Sequence, residues 1–535
     1  MPNIELAIPN RETERVQEAC GITAAVSKRG ADVAPFLARM QVALENRGRD
    51  SAGISVFNPS TFQSGDKITT YRQLGKPSQV LGPNFNFMEH NLYGDRGIGH
   101  NRYGTSGGVA KDDMKGSQPM YTQWKDRSLA IAYNGNMPEP LRRILKSRIK
   151  KSLGYVPNTQ FDTEEILYAL ISADGEIWPD RFRNALKGIP LAFCLTMVTG
   201  EGNIFGLRGP SVHWPLWRGE SGDAIVLASE TRVDKDMKWT EVRGGELVEI
   251  LPNGVISKQL FPSEREFRCI LHDFYGAGRD SIATIKDGKP VFYRDLRLEA
   301  GRILAKEHPL KADVYVGIPE TGLDYIEGYT QELGKKPTAV IAKLNGDRSF
   351  MGRTEEEIHA VINGKYAIWN PDLVRGKKVV TIDDSNIRGK TAGGSPLGVS
   401  DTDGSIKEAR GYIDLLREAG ASRVDCLFAL PPFKERCDMG YFILKDQLVA
   451  VIRDENGNYR ELSFQEIADR IGADSVYYLS LDAVEETYEW AFGKRDNICS
   501  YCVSGKHPLD IIREERELYL NRAGKDSATL DQIAV

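Results

Sequence analysis

The run Val379-Val380-Thr381-Ile382 ends in two adjacent carboxylates, Asp383 and Asp384, followed by Ser385, Arg388, Gly389 and Thr391 in a short polar stretch. Continuous β-branched apolar residues suit the centre of a parallel sheet, and ligands of open α/β sheets lie beyond the carboxyl ends of the strands. Backbone N–H groups and hydroxyls after the acid pair can cradle a phosphate. Two carboxylates beside such a cradle suit a sugar phosphate, whose hydroxyls they accept, with Mg²⁺ bridging to diphosphate oxygens. The competing reading is a solvated Asp-Asp turn. A second chemical feature is Cys20, which follows a polar leader, Met1 to Ala19, and opens an apolar run. A thiolate attacks an unactivated amide well, and a free α-amine with a pKa of about 8 can serve as its base if Cys20 becomes residue one.

These groups need more than one domain to position them, and 535 residues allow two or three. At 41% hydrophobic and 27% charged residues the chain falls in the globular class, and a net charge of −5 gives no footprint for nucleic acid. No apolar run reaches membrane-spanning length, and the leader is too polar for a secretory signal. A cytoplasmic location follows as the expectation, with the seven cysteines as thiols or metal ligands.

From Cys20 to about Leu260, short apolar runs such as Leu129-Ala130-Ile131-Ala132-Tyr133 alternate with Gly/Asn/Asp turns, and helical spacing intervenes at Val33 to Leu44 and Thr163 to Ser172. This mixture predicts an α+β layered domain, closed by a hairpin at Pro252-Asn253-Gly254. From Asp313 the pattern becomes strand (Val314 to Ile318), helix (Leu323 to Leu333), strand (Thr338 to Ala342), polar excursion, strand (Lys378 to Ile382), helix (Ile406 to Glu418) and strand (Arg423 to Ala429). Such alternation predicts a doubly wound parallel sheet. Gly393 to Gly404 reads as a surface loop, and helical spacing returns around Ile511 to Leu520. The resulting division is 1–19 leader, 20–262, 263–484 and a tail from 485 to 535.

Thr381 to Thr391 resembles the phosphoribosyl diphosphate (PRPP) motif of type I phosphoribosyltransferases. The resemblance implies that Asp383 and Asp384 hold ribose hydroxyls and that Ser385, Arg388, Gly389 and Thr391 take the 5-phosphate. Val316 to Gly322 resembles that family's diphosphate loop, with Thr321 at a Mg²⁺-associated position. Asp347 to Thr354 is similar to the flexible loop that closes over PRPP, with an apparent extra residue, and its Arg348 and Arg353 would screen the leaving diphosphate. Upstream, Cys20-Gly21, Arg47 to Gly53, Gly99 to Thr105, Asn134-Gly135-Asn136 and Asp162-Thr163-Glu164 resemble, in order, the class II glutamine amidotransferase domain. That implies an N-terminal nucleophile hydrolase fold, an αββα sandwich, with the leader removed autocatalytically. It gives Cys20 the nucleophile's role, Asn134 and Gly135 the oxyanion hole, Arg102 the glutamine α-carboxylate and Asp162 its α-ammonium. Singly, Arg102 reads as a surface charge, Asn134-Gly135 as a hairpin turn and Asp162 as a helix cap; their joint order favours the site. Tyr133 and Phe161 depart from the family, which usually has His and Ser there.

The whole chain from Cys20 to about Pro508 resembles the glutamine PRPP amidotransferases. The implied activity is amination of PRPP with glutamine-derived ammonia to give 5-phosphoribosylamine, the first step of purine synthesis. Cys269, Cys437, Cys499 and Cys502 match the ligands of a 4Fe–4S cluster in one branch of that family, and four thiolates equally suit zinc. Cys194 and Cys426 lie in apolar strand patterns and read as core. The resemblance further implies Mg²⁺, tetramers and inhibition by purine nucleotides. A PRPP-sensing protein with a dead site, or a paralogue aminating another phosphosugar, would keep much of the same pattern.

Overall fold

The computed structural model describes residues 20–507, apart from 60–66, 104–113, 211–213, 263–266, 345–365, 401–405, 438–440 and the single positions 126, 136, 138, 156, 158, 160, 188, 190, 191, 442, 444 and 455. The leader, the loop carrying Arg348 and Arg353, and the expected helix around Ile511 to Leu520 therefore lie outside the described residues.

Two antiparallel sheets make the amino-terminal half. The first has seven strands, in the order Lys238–Glu241, Trp217–Glu220, Ala224–Ala228, Gly21–Ser27, Arg96–Arg102, Ser51–Phe57 and Ile68–Leu74. The second has six, in the order Gly254–Gln259, Glu246–Leu251, Ile204–Arg208, Phe193–Thr199, Arg127–Gly135 and Met120–Trp124. Side chains alternate between faces of a strand, and the burial follows that period. Ile22, Ala24 and Val26 share the inter-sheet core with Ala130, Ala132 and Cys194. Ala25 turns outward to the helix Ala34–Ala43. Leu129, Ile131 and Tyr133 turn the other way, under the helices Glu139–Leu153, Asp162–Ser172 and Trp178–Leu186. The result is the expected αββα sandwich.

The carboxy-terminal half is built on four parallel strands, ordered Val314–Gly317, Lys378–Asp383, Arg423–Phe428 and Ser475–Tyr478. Both faces are covered, as a parallel sheet requires. Val380 and Ile382 pack toward the helices Tyr293–Glu307, Gly322–Glu332 and Leu481–Phe492. Val379, Val424 and Cys426 pack toward Tyr412–Glu418 and Phe464–Ile471.

Three expectations change. The strand foreseen at Thr338 to Ala342 is Ile341–Lys343, which pairs antiparallel with Tyr366–Ile368 outside the parallel sheet. Thr338, where the strand was expected to start, still donates its N–H to Tyr315 O at 2.7 Å, but the regular strand forms only from Ile341. The helix foreseen from Ile406 begins only at Tyr412, while Ile406–Ala409 pairs with Ser395–Ser400 as a hairpin in place of the surface loop. Gly411 separates them: a Cβ there would meet the Ala392 carbonyl oxygen at 2.0 Å, and its N–H donates to Asp414 Oδ2 at 2.9 Å, starting the helix afresh. The helix Leu481–Phe492 runs across position 484.

Candidate functional site

Cys20 stands just ahead of the strand Gly21–Ser27, with 7% of its surface exposed. The Tyr103 N–H donates to its Sγ at 3.4 Å, so the thiol is pinned to the end of the strand that carries Arg102. Burial pushes the thiol up to about 11, opposed by the Tyr103 backbone hydrogen bond and by the charges of Arg102 and Arg47. Such a thiol needs a base to ionise it at neutral pH.

The other expected glutamine residues converge here. Arg102 is buried, and its guanidinium lies 4.9 Å from the centre of the Phe161 ring. Phe161, which departs from the family pattern, is therefore the aromatic support of the arginine. Asp162 opens the helix Asp162–Ser172 and is not its cap, since the N-cap is Phe161. Its Oδ2 accepts the Met137 N–H at 2.8 Å. Burial raises its carboxyl from 3.8 to about 6, although the Met137 hydrogen bond and Arg142 act to lower it. Asn134 and Gly135 end the strand Arg127–Gly135, paired with Cys194 and Phe193. Gly135 has no room for a side chain, because a Cβ would lie 2.4 Å from the Tyr133 hydroxyl. Tyr133 thus fills the space beneath Gly135.

Sequence reasoning assigned no role to Arg47, Glu230, His272 or Asp273. The Arg47 guanidinium donates from Nη1 to Glu230 Oε1 at 3.1 Å and lies 2.6 Å from His272 Nε2. His272 Nδ1 lies 2.9 Å from Asp273 Oδ1, and Asp273 Oδ2 accepts from Arg268 and from the Tyr488 hydroxyl. The Arg47-Gly48 pair marked one end of this buried chain in the sequence. The other end, 225 residues away, left no signal.

In the second half, Asp383 closes the strand Lys378–Asp383 and Asp384 follows it, at 7% and 5% exposure. Strand pairing continues through them, with Ile318 N–H donating to Ile382 O at 2.9 Å and Ala429 N–H to Asp383 O at 3.0 Å. Asp384 accepts the Thr321 hydroxyl on Oδ2 and the Ser385 hydroxyl on Oδ1, the latter at 2.7 Å. The expected diphosphate loop and acid pair are therefore in direct contact. The Pro319–Glu320 peptide bond between the first strand and Thr321 is cis. Beyond the pair, Arg388 is half-buried, Gly389 adopts φ +75° and Thr391 lies in the short helix Lys390–Gly393. A residue with a side chain would be strained at Gly389, and its Cβ would also press on Val449 at 2.9 Å.

The four singled-out cysteines share one neighbourhood. Arg268–Cys269 pairs in parallel with Ile498–Cys499, Cys269 opposite Cys499, and Cys437 packs beside Cys499. Burial drives the Cys269 thiol up, and so do the nearby Cys499, Cys437 and Cys502. The donor chemistry suits a thiolate-held centre, although no three His, Cys, Asp or Glu side chains among the described residues are arranged to hold a metal ion. Mg²⁺ needs no protein cage, since it binds through one or two carboxylates plus substrate phosphates. Cys194 and Cys426 are fully buried in the core, as expected.

A scan against protein-family models finds no match. Among curated proteins, the amidophosphoribosyltransferase of Synechocystis sp. is 30% identical over 536 residues, covering 96% of both chains. That of Synechococcus elongatus is 29% identical, over 94% of this chain and 93% of its own. The solved glutamine PRPP amidotransferase of B. subtilis, complexed with ADP and GMP, superposes with a TM-score of 0.73 at 25% identity, covering 91% of this chain and 97% of that one. With this likeness along nearly its whole length, the chain belongs to the amidophosphoribosyltransferase family.

Proposed function

We propose that the chain uses glutamine to aminate PRPP, giving 5-phosphoribosylamine, glutamate and diphosphate, the first step of purine synthesis. The observation that carries this reading is the pairing of a buried Cys20–Arg102–Asp162 cluster with the Thr321–Asp384 contact at the end of a parallel strand. Arg102 and Asp162 orient glutamine by its carboxylate and ammonium. Cys20 attacks the side-chain amide, its proton going to its own α-amine once residues 1–19 are removed. The Asn134 side chain and Gly135 N–H steady the oxyanion, each donor contributing about 3 kcal/mol. Water then releases glutamate.

Ammonia passes to the second site. There Asp383 and Asp384 accept the ribose hydroxyls, and Ser385, Arg388, Gly389 and Thr391 take the 5-phosphate. Thr321 steadies Asp384, and Arg348 and Arg353 are assigned to the departing diphosphate. Mg²⁺, bound through the acid pair, Thr321 and the substrate, would draw charge from that leaving group. Cys269, Cys437, Cys499 and Cys502 would hold a 4Fe–4S cluster, structural in role and remote from the reaction.

Residues 20–262 form the glutaminase domain, and 263 to about 492 the phosphoribosyltransferase domain. No helix of the described residues is long and apolar enough to cross a membrane. Cysteine thiols without assigned disulfides suit a reducing compartment, and we place the enzyme in the cytoplasm as a tetramer inhibited by purine nucleotides. The deciding experiment is a product assay with glutamine plus PRPP against each alone. Phosphoribosylamine forming only when both are present is the expected result, and none forming would overturn the reading.

A further inference from the structure

A cavity of about 310 Å³, lined by none of the expected site residues, lies where three segments meet: the strand ends at Arg208 and Glu241 to Arg243, the strands at Arg268 and Thr284, and the helix end from Tyr488 to Asn497. Its charges are uneven. Arg208 and Arg268 share Glu241, at 2.9 and 3.2 Å, and Arg268 is also paired with Asp273 at 3.0 Å, so the inner cations are balanced. Arg243 and Lys494 also line the cavity; both are exposed, and neither makes an ion pair with a described residue. Glu246 accepts the Arg243 backbone N–H at 2.7 Å. Two uncompensated cations at one mouth suit a dianion better than a monoanion, and an arginine fork matches phosphate oxygens bidentately.

The volume exceeds what a lone phosphate fills, and the half-buried Thr284 and Asn497 add polar groups that can meet hydroxyls. We propose that this pocket binds a small phosphate anion, free or as the monoester of a polyol, held at the mouth by Arg243 and Lys494. The position gives binding a consequence. Arg268 N–H donates to Asn497 O at 2.9 Å, directly ahead of the paired Cys269 and Cys499, so an occupant ties the glutaminase strands to the cysteine-bearing strands.

Equilibrium dialysis of the full chain against labelled inorganic phosphate, and separately ribose 5-phosphate, tests this. It is run on the unaltered protein, on the double variant Arg243→Glu/Lys494→Glu, and on Asp384→Asn, which weakens the PRPP site. Binding that persists in Asp384→Asn and falls about a hundredfold or more in the double variant supports the pocket. Comparable affinity for both probes assigns it to the free anion, and affinity for ribose 5-phosphate tighter by about tenfold or more assigns it to the monoester. Unchanged glutaminase activity verifies that the double variant is folded. Binding that vanishes in Asp384→Asn, or is indifferent to the double charge reversal, would overturn the proposal.

Discussion

Thr321 donates its hydroxyl to Asp384 across 63 residues of sequence, joining the loop after one parallel strand to the acid pair after its neighbour. Asp384 is therefore held in one orientation, with Ser385 on its other oxygen at 2.7 Å. Replacing Asp384 by Asn removes a charge-assisted hydrogen bond to ribose worth roughly 1.5–3 kcal/mol, or about a ten- to hundredfold loss at the PRPP site. The loss is expected with ammonia as well as with glutamine, while basal glutaminase survives. Phosphoribosylamine formation from ammonia and from glutamine at varied PRPP checks it; unchanged PRPP affinity would reduce the pair to a strand-end turn.

Cys20→Ala is expected to abolish glutamine-dependent turnover and to spare turnover driven by added ammonia. The thiol is pushed up to about 11 by burial, so a chain retaining residues 1–19 lacks the base that would ionise it. Intact mass of active protein should begin at Cys20. Full glutaminase activity in a chain still carrying Met1 would sink the α-amine mechanism.

Asp162 sets a pH dependence. Its carboxyl is raised by burial from 3.8 to about 6, so between those values the unfolded chain ionises while the folded chain keeps its proton. Stability therefore falls as pH rises through that window, by up to roughly 3 kcal/mol above about pH 6. Glutamine binding runs the other way, since only the carboxylate pairs with the α-ammonium. KM for glutamine is expected to rise as pH falls through about 6. Asp162→Asn should flatten both profiles, weaken glutamine use and raise the melting temperature at pH 7. Identical pH profiles in variant and parent would show that Asp162 does not titrate in the site.

Phe161→Ala removes the ring under Arg102, 4.9 Å from its guanidinium. A cation–π contact of about 0.5–2 kcal/mol predicts a two- to thirtyfold rise in KM for glutamine, with ammonia-dependent turnover unchanged. Steady-state kinetics with both nitrogen sources separate this from a general loss of folding.

Anaerobically purified protein is expected to be brown, with about four iron and four sulfide per chain. Colourless protein with stoichiometric zinc would leave Cys269, Cys437, Cys499 and Cys502 as ligands and replace the cluster.

Local chemistry and period were enough to read much of this protein from its residues. The β-branched run ending at Asp383 and Asp384, the Cys20-Gly21 strand start and the alternation in Leu129 to Tyr133 each carry their signal within a few residues. That is why the layered first half and the parallel sheet of the second were legible. Where chain punctuation competes with periodicity, the reading failed: Gly411 cut a helix and left a hairpin before it, and the strand expected from Thr338 formed at Ile341 in a separate antiparallel pair. The tertiary structure alone decided what meets across distance. Arg47 reaches His272, Phe161 supports Arg102, and Cys269 lines up with Cys499 because sheets and helices fold those segments together. A buried ion pair or an aromatic support has no periodic signature, since its partners are chosen by packing and by the cost of leaving a buried charge alone.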